Sequence, residues 1–303
     1  MEKEIFTRIA QLKKDREAVI LVHNYQLPEV QDLGDFVGDS LELSLKASSI
    51  PCKVLVFCGV RFMAETAKIL SPEKVVLHPV PDSGCPMADM ISRQELLEFK
   101  AKHPGSLVVC YVNSTAEVKA ECDIAVTSAN AERIVNSLPL DKPILFVPDM
   151  HLGAYVRKQT GREMVLWPGY CPTHANITPD QIRELRKQHP EAKVLVHPEC
   201  PLDVIEQADA VLSTGGMCRF VRESACPKFI IATEIGIIHR LKKENPRAVY
   251  IPVSTRALCP NMKKIRPIDI LSALESLEPR VELSEDIRRK AEIPIRRMVA
   301  GNL

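Results

Sequence analysis

The sequence predicts an α/β protein of three pseudo-symmetric αβα sandwich units, each with a small parallel four-stranded sheet. Three observations carry the prediction. Cys-Pro pairs at Cys85-Pro86, Cys171-Pro172 and Cys259-Pro260 stand 86 and 88 residues apart in a chain of 303, close to a third of it each time. Within each interval, four short apolar runs alternate with stretches of helical character, the pattern of parallel βαβ units. The polar residue after each first strand also precedes a hydroxyl after each second strand by the same 17 positions: His23 to Ser40, Tyr111 to Ser128, His197 to Thr214. A period of this length suits small domains, each burying its own sheet, better than a solenoid. The units are expected at residues 1-88, 89-175 and 176-263, with the tail 264-303 packing back on the first.

In the first unit a short charged helix precedes the apolar run Ala18 to Val22, which reads as a strand buried on both faces. Pro28 opens a helix, Asp35 to Val37 makes a short second strand, and Gly38-Asp39-Ser40 turns into a helix over Leu41 to Ser49. Lys53 to Phe57 and Lys74 to Leu77 complete the sheet, with a helix over Arg61 to Leu70 between them. The second unit repeats the order at Ser106 to Cys110, Asp123 to Val126, Pro143 to Val147 and Glu163 to Leu166. The third does so at Lys193 to Val196, Asp209 to Leu212, Lys228 to Ala232 and Ala248 to Tyr250. Asp opens every second strand (Asp35, Asp123, Asp209), and Pro follows every fourth (Pro79, Pro168, Pro252).

Forty basic and 39 acidic residues leave a formal charge of +1, without a long run of either sign, so neither nucleic acid nor a membrane surface is the expected partner. No apolar run reaches membrane-spanning length, and the N-terminal stretch lacks the apolar core of a signal peptide, so a cytoplasmic location is expected. In that compartment the ten cysteines are expected as thiols or metal ligands rather than disulfides. No Cys-x-x-Cys occurs, which argues against a zinc ribbon.

Ligands of a parallel α/β sheet bind beyond the carboxyl ends of its strands. Three repeated sets fall there. His23 and Tyr25, Tyr111 and Asn113, His197 and Glu199 supply imidazoles, phenols, an amide and a carboxylate, suited to proton transfer on a carbonyl or imine substrate. A lone His or Tyr at such a place more often caps a strand or packs in a core; equivalent placement in three repeats reverses that preference. Ser40, Ser128 and Thr214 precede or open helices, where a hydroxyl and free backbone N–H groups bind phosphate or carboxylate, although a single Ser there is usually an N-cap. Gly215-Gly216 strengthens the anion reading, since glycine lets the backbone approach a ligand. The third set, Cys85, Cys171 and Cys259, could hold a [4Fe-4S] cluster with one iron free of protein ligand, or a zinc ion. Cys200-Pro201 and Cys226-Pro227 make the dipeptide itself weak evidence, so the spacing carries the assignment.

The stretches His23-Asn24-Tyr25, Gly38-Asp39-Ser40, Cys58 to Ala67, Tyr111-Val112-Asn113-Ser114, Pro148-Asp149, Trp167-Pro168-Gly169, His197-Pro198-Glu199-Cys200, Thr233-Glu234-Ile235-Gly236 and Cys259 to Lys263 together resemble the quinolinate synthase family. The resemblance runs from about residue 19 to 263. It implies a triangular molecule with the active site where the three domains meet. It further implies condensation of iminoaspartate with dihydroxyacetone phosphate to quinolinate, with release of phosphate and two waters. The family's [4Fe-4S] cluster would rest on Cys85, Cys171 and Cys259, its open iron acting as a Lewis acid in dehydration. The site would be lined by His23, Tyr25, Ser40, Tyr111, Asn113, Ser128, His174, His197, Glu199, Ser213 and Thr214, with Met63 near it. On that footing Glu199 and Tyr25 are expected to move protons, His23 and His197 to fix carboxylates and balance their charge, and Tyr111 with Asn113 to orient the condensing carbons. An aspartate oxidase or dehydrogenase would supply the unstable imine. The rival reading from another class is a non-catalytic metal- or anion-binding sensor, which needs no such acid-base lining.

Overall fold

The computed structural model describes residues 2-301; Met1 and the last two residues of the tail, 302 and 303, lie outside the described residues. Twelve strands form three four-stranded sheets. The first contains β1 (Ala18–His23), β2 (Phe36–Gly38), β3 (Val54–Cys58) and β4 (Val75–Leu77); the second β5 (Leu107–Tyr111), β6 (Ile124–Val126), β7 (Ile144–Val147) and β8 (Met164–Leu166); the third β9 (Lys193–Val196), β10 (Ala210–Val211), β11 (Lys228–Ala232) and β12 (Val249–Pro252). Every pairing is parallel, and the orders β2-β1-β3-β4, β6-β5-β7-β8 and β10-β9-β11-β12 are the same topology three times. The central strands are continuous apolar runs because helices cover both faces; every residue of β3 and β7 is buried.

The repeated Asp is where sequence and structure differ by one residue, and the reason is physical. Asp35 Oδ2 accepts the N–H of Ile20 at 2.8 Å, Asp123 Oδ2 that of Val108 at 2.8 Å, and Asp209 Oδ2 that of Val194 at 2.7 Å. Each carboxylate thus caps the central strand at the level where the edge strand has not yet begun, leaving no ladder donor unpaired. The edge strands therefore start one residue later than the sequence pattern suggests. Pro252 ends β12 on a sheet edge, the place a strand tolerates a residue without an N–H.

One continuous apolar core draws on all three sheets, through Leu21 and Leu55, Val109 and Phe146, and Leu195 and Phe229. The tail divides. Helix Pro267–Ser276 lies on helix Glu2–Asp15 and β3, while helix Glu285–Ala300 crosses from helix Arg61–Leu70 to helix Ala116–Lys119 and β6. Ala291, Ile295 and Met298 bury its apolar stripe, and Arg297 donates to the carbonyl of Asp123 at 2.6 Å. Among the described residues no helix is long and apolar enough to cross a membrane.

Candidate active site

The carboxyl ends of the sheets face a common cavity. Of the residues expected there, His23, Tyr25, Ser40, Met63, Tyr111, Asn113, Ser128, His174, His197, Glu199 and Thr214 line it, together with Cys85, Cys171 and Cys259. Ser213 does not.

β1 ends in His23 and β9 runs into His197, and both strands turn in the same way. His23 Nδ1 accepts the N–H of Tyr25 at 3.2 Å, and His197 Nδ1 accepts that of Glu199 at 3.3 Å. Each neutral ring then carries its hydrogen on Nε2. Burial pushes both imidazoles down to about 3, against the pull of Glu199. They are neutral donors near pH 7, so the expectation that they balance substrate charge is replaced by one in which they donate hydrogen bonds without a net charge.

Glu199 centres a network drawn from the second and third units. Tyr111 donates to Glu199 Oε1 at 2.5 Å, with Asn113 Nδ2 at 3.5 Å from the same oxygen, and His174 Nδ1 lies 2.8 Å from Oε2. Burial opposes the charge on Glu199, but the rings of His174 and His197 and the hydrogen bonds from His174 and Tyr111 outweigh it and hold the carboxyl below the usual carboxylate range. Burial and the Glu199 charge push both Tyr25 and Tyr111 well above the ordinary phenol range, so both keep their hydrogen. His174 stacks on His197 with ring centroids 4.8 Å apart. Asn113 Oδ1 is buried without a protein partner, an acceptor free for a substrate N–H or O–H.

The hydroxyl set divides on inspection. Ser40 opens helix Ser40–Ser49 behind Asp39, whose side chain accepts from Leu41 and Glu42 N–H and forms a capping box with Glu42. Ser128 lies in the turn that Asn130 closes by accepting from Thr127 N–H at 2.7 Å, ahead of helix Ala131–Ser137. Thr214 opens helix Thr214–Glu223 behind Ser213. The Ser213 hydroxyl is spent elsewhere, accepting from Gly216 N–H and donating to Asp39 Oδ2, both at 3.1 Å, so it holds Thr214 in place and joins the first and third units. Gly215 serves that same seam rather than a ligand: a Cβ there would lie 2.6 Å from Asp39 Oδ2.

Each Cys-Pro pair begins a short helical turn whose backbone N–H groups point back at the sulfur. Cys85 receives Ala88 and Met87, Cys171 receives His174, and Cys259 receives Met262 and Asn261. Proline fits because it supplies the first turn without a donor of its own. Burial raises all three thiols, Cys85 up to about 12, and the neighbouring Cys259 and Cys85 further raise Cys85 and Cys171 respectively. A bound cation reverses this, since coordinated thiols ionise. Three sulfurs on one cavity, each met by amide donors that stabilise thiolate charge, fit the three-cysteine cluster. Among the described residues, Cys171, His174 and Glu199 also bring one ligand atom each within 4.8 Å of one another, a mixed set that a single metal ion could use.

Several lining residues were not among those expected at the site, Asp39, Phe62, Thr173 and Glu234 among them. Glu234 clasps the cysteine loop: its carboxylate accepts from Cys259 N–H at 3.2 Å and Gly236 N–H at 2.7 Å and pairs with Lys263 at 2.9 Å, while Lys263 also donates to the Tyr25 carbonyl. A Glu after the third strand of the third unit, where the other units have Val60 and Asp149, was the available signal.

A model of the family described as "Quinolinate synthetase A protein" matches residues 7–300. The chain is 55% identical over 300 residues to a quinolinate synthase of Dehalococcoides mccartyi strain CBDB1, covering 99% of both chains. It is 51% identical over 298 residues to one from Desulforudis audaxviator, covering 98% of each, and 49% over 292 residues to one from Methanoregula boonei, covering 96% of each. Matches of this extent take in all three sheets and all three Cys-Pro turns, and the chain belongs to the quinolinate synthetase A protein family.

Proposed function

We propose that this chain condenses iminoaspartate with dihydroxyacetone phosphate, releasing phosphate and two waters to give quinolinate, with a [4Fe-4S] cluster on Cys85, Cys171 and Cys259. The observation that carries the reading beyond family membership is the ionised Glu199, buried and joined to Tyr111, Asn113 and His174 on the cavity that the three cysteines share. Neutral His23 and His197 donate from Nε2 to substrate carboxylates. Ser40, Ser128 and Thr214 receive the phosphate and remaining carboxylate oxygens, at the mouths of helices or turns. Asn113 orients the condensing partner through its free Oδ1, and Tyr111 keeps Glu199 aimed. Glu199 takes protons during isomerisation and dehydration, and Tyr25 moves them from the first sheet. The apolar wall at Met63 bounds the site. When bound, the cluster would supply an iron free of protein ligand as a Lewis acid toward a substrate oxygen. The imine's instability calls for an aspartate-oxidising enzyme as supplier, and the whole sequence suits the cytoplasm.

The second reading keeps the enzyme but places zinc on Cys171, His174 and Glu199. Anaerobic purification with iron and sulfide analysis separates the two. Four irons that disappear in each of Cys85→Ala, Cys171→Ala and Cys259→Ala, with quinolinate formed only by the wild type, are the expected result. Colourless, zinc-containing protein supports the second reading, and iron that survives all three substitutions refutes the three-cysteine assignment.

A further inference from the structure

The turn that follows Cys259 is bound to the first unit at three successive residues. The Asn261 carbonyl accepts from Ser83 Oγ at 2.8 Å, Met262 Sδ accepts from Gln26 Nε2 at 3.5 Å, and Lys263 Nζ donates to the Tyr25 carbonyl. Tyr25 lies in the loop after β1, where Gln31 Nε2 holds the carbonyls of Asn24 and Gln26 at 3.2 and 2.9 Å. Among the described residues, Lys263 is the one donor to the carbonyl between them. The same ammonium pairs with Glu234 at 2.9 Å, and Glu234 accepts the Cys259 N–H at 3.2 Å. Both partners are shielded from water, with 15% of the Lys263 side chain and 1% of that of Glu234 exposed. Two residues past the third strands stand Val60, Asp149 and Glu234; four residues past the cysteines stand Asp89, Ala175 and Lys263. Only the third unit carries an acid and a base at these two places.

We propose that Lys263 is a positioning residue that ties the backbone of Tyr25 to the Cys259 turn, so that one turn both presents the sulfur to the cavity and fixes the phenol in it. The turn is closed by the Lys263 N–H on the Pro260 carbonyl at 3.2 Å, so the cysteine at its start and the ammonium at its end move together. Tyr25 N–H is taken by His23 Nδ1, and with its carbonyl on Lys263 both backbone groups of the residue are committed. An ammonium has three hydrogens and no lone pair, so it can serve the carbonyl and the carboxylate at once. Glu234 supplies the counter-charge that a shielded ammonium needs. Gly236 leaves the space for the tie: a Cβ there would lie 2.5 Å from Lys263 Nζ and 2.7 Å from the Tyr25 carbonyl oxygen. Lys263 does not line the cavity, and acts on the substrate only through Tyr25.

The effect of the tie on turnover rests on the quinolinate synthase reading and deepens it; the tie itself does not depend on that reading. Glu234→Gln combined with Lys263→Met removes both charges together and strands neither. Gly236→Ala keeps both charges and wedges a methyl into the tie, so a folding defect in one variant leaves the other to decide. Iron-free protein gives two readouts without turnover. With 13C at the phenol carbon of tyrosine, the five tyrosines of the chain give five signals, the Tyr25 one identified by its loss in Tyr25→Phe. That signal should move in both variants while the other four stay. Iodoacetamide should alkylate Cys259 about 10-fold faster, since its turn loses a charge-assisted hydrogen bond, with Cys85 and Cys171 within about threefold of wild type. In iron-loaded protein kcat should fall about 10- to 100-fold with KM within about threefold, a loss in the range of a misaligned acid-base group. A Tyr25 signal or a Cys259 rate that stays at the wild-type value in both variants overturns the tie, as does an equal acceleration of all three cysteines, the mark of general loosening. Wild-type protein that carries its iron yet makes no quinolinate refutes the functional reading instead, and the two iron-free readouts then still decide the tie.

Discussion

Replacing Glu199 by Gln exchanges one carboxylate oxygen for an NH2 group at the centre of the site. The carboxylate accepts from Tyr111 at 2.5 Å on one oxygen and faces His174 Nδ1 at 2.8 Å on the other, while Asn113 Nδ2 stands 3.5 Å away. The amide keeps one acceptor oxygen, so either Tyr111 or His174 meets an N–H where it met a lone pair. A hydrogen bond to a charged group contributes about 1.5–3 kcal/mol. Losing one, and weakening the other as the charge goes, gives a barrier increase of about 2–4 kcal/mol, or a fall in kcat of roughly 30- to 1000-fold. The chain should still fold, because Gln is nearly the same size and the substitution removes a buried charge. The assay is quinolinate formation under anaerobic conditions at saturating substrates, with iron content measured on the same sample. Full turnover in the Gln variant would remove Glu199 from proton transfer and leave Tyr25 and the histidines to account for it.

Three further outcomes are expected. Asp123→Ala removes the side-chain cap on Val108 N–H, so urea unfolding should report a loss of about 1 kcal/mol with kcat unchanged; an unaltered midpoint refutes the capping role. Gly215→Ala places a methyl 2.6 Å from Asp39 Oδ2 and 3.0 Å from the Glu42 carboxyl, so the seam between first and third units must open, costing about 1–3 kcal/mol. The adjoining Thr214 should move with it, and KM for the phosphorylated substrate should rise; unchanged melting temperature and KM would contradict the seam. Burial holds His23 and His197 down to about 3 in the folded chain, below the ordinary imidazole value of about 6.5, so between these pH values the unfolded chain binds more protons than the folded one. Stability should therefore fall as pH drops from about 6.5 toward 3, each histidine adding up to about 1.4 kcal/mol per pH unit, and His197→Gln should flatten the slope by one proton. An identical slope in that variant would show that His197 is not held neutral by burial.

The sheets were legible from sequence because their signal is local. Apolar runs of four to six residues read as buried parallel strands, and the matched spacing of His23, Tyr111 and His197 with Ser40, Ser128 and Thr214 registered the three units against one another. Strand ends were legible to within a residue or two, and the shift at Asp35, Asp123 and Asp209 arises because a side chain took over a backbone acceptor's task. The polar residues of the cavity followed from that registration, since the carboxyl ends of parallel strands are where such side chains gather. Tertiary structure decided what each does. Ser213 and Thr214 are adjacent and both carry hydroxyls, yet only the packing of one helix start against Asp39 turns Ser213 away from the cavity. Thr233 meets Tyr25 across 208 positions and His174 across 59, and Lys263 reaches Tyr25 across 238. No periodicity records such meetings. Composition and spacing determine elements through short-range geometry, whereas a hydroxyl shared between two units, a buried neutral imidazole or a carboxylate kept ionised depends on which distant groups exclude water around it, and only the assembled fold brings those groups together.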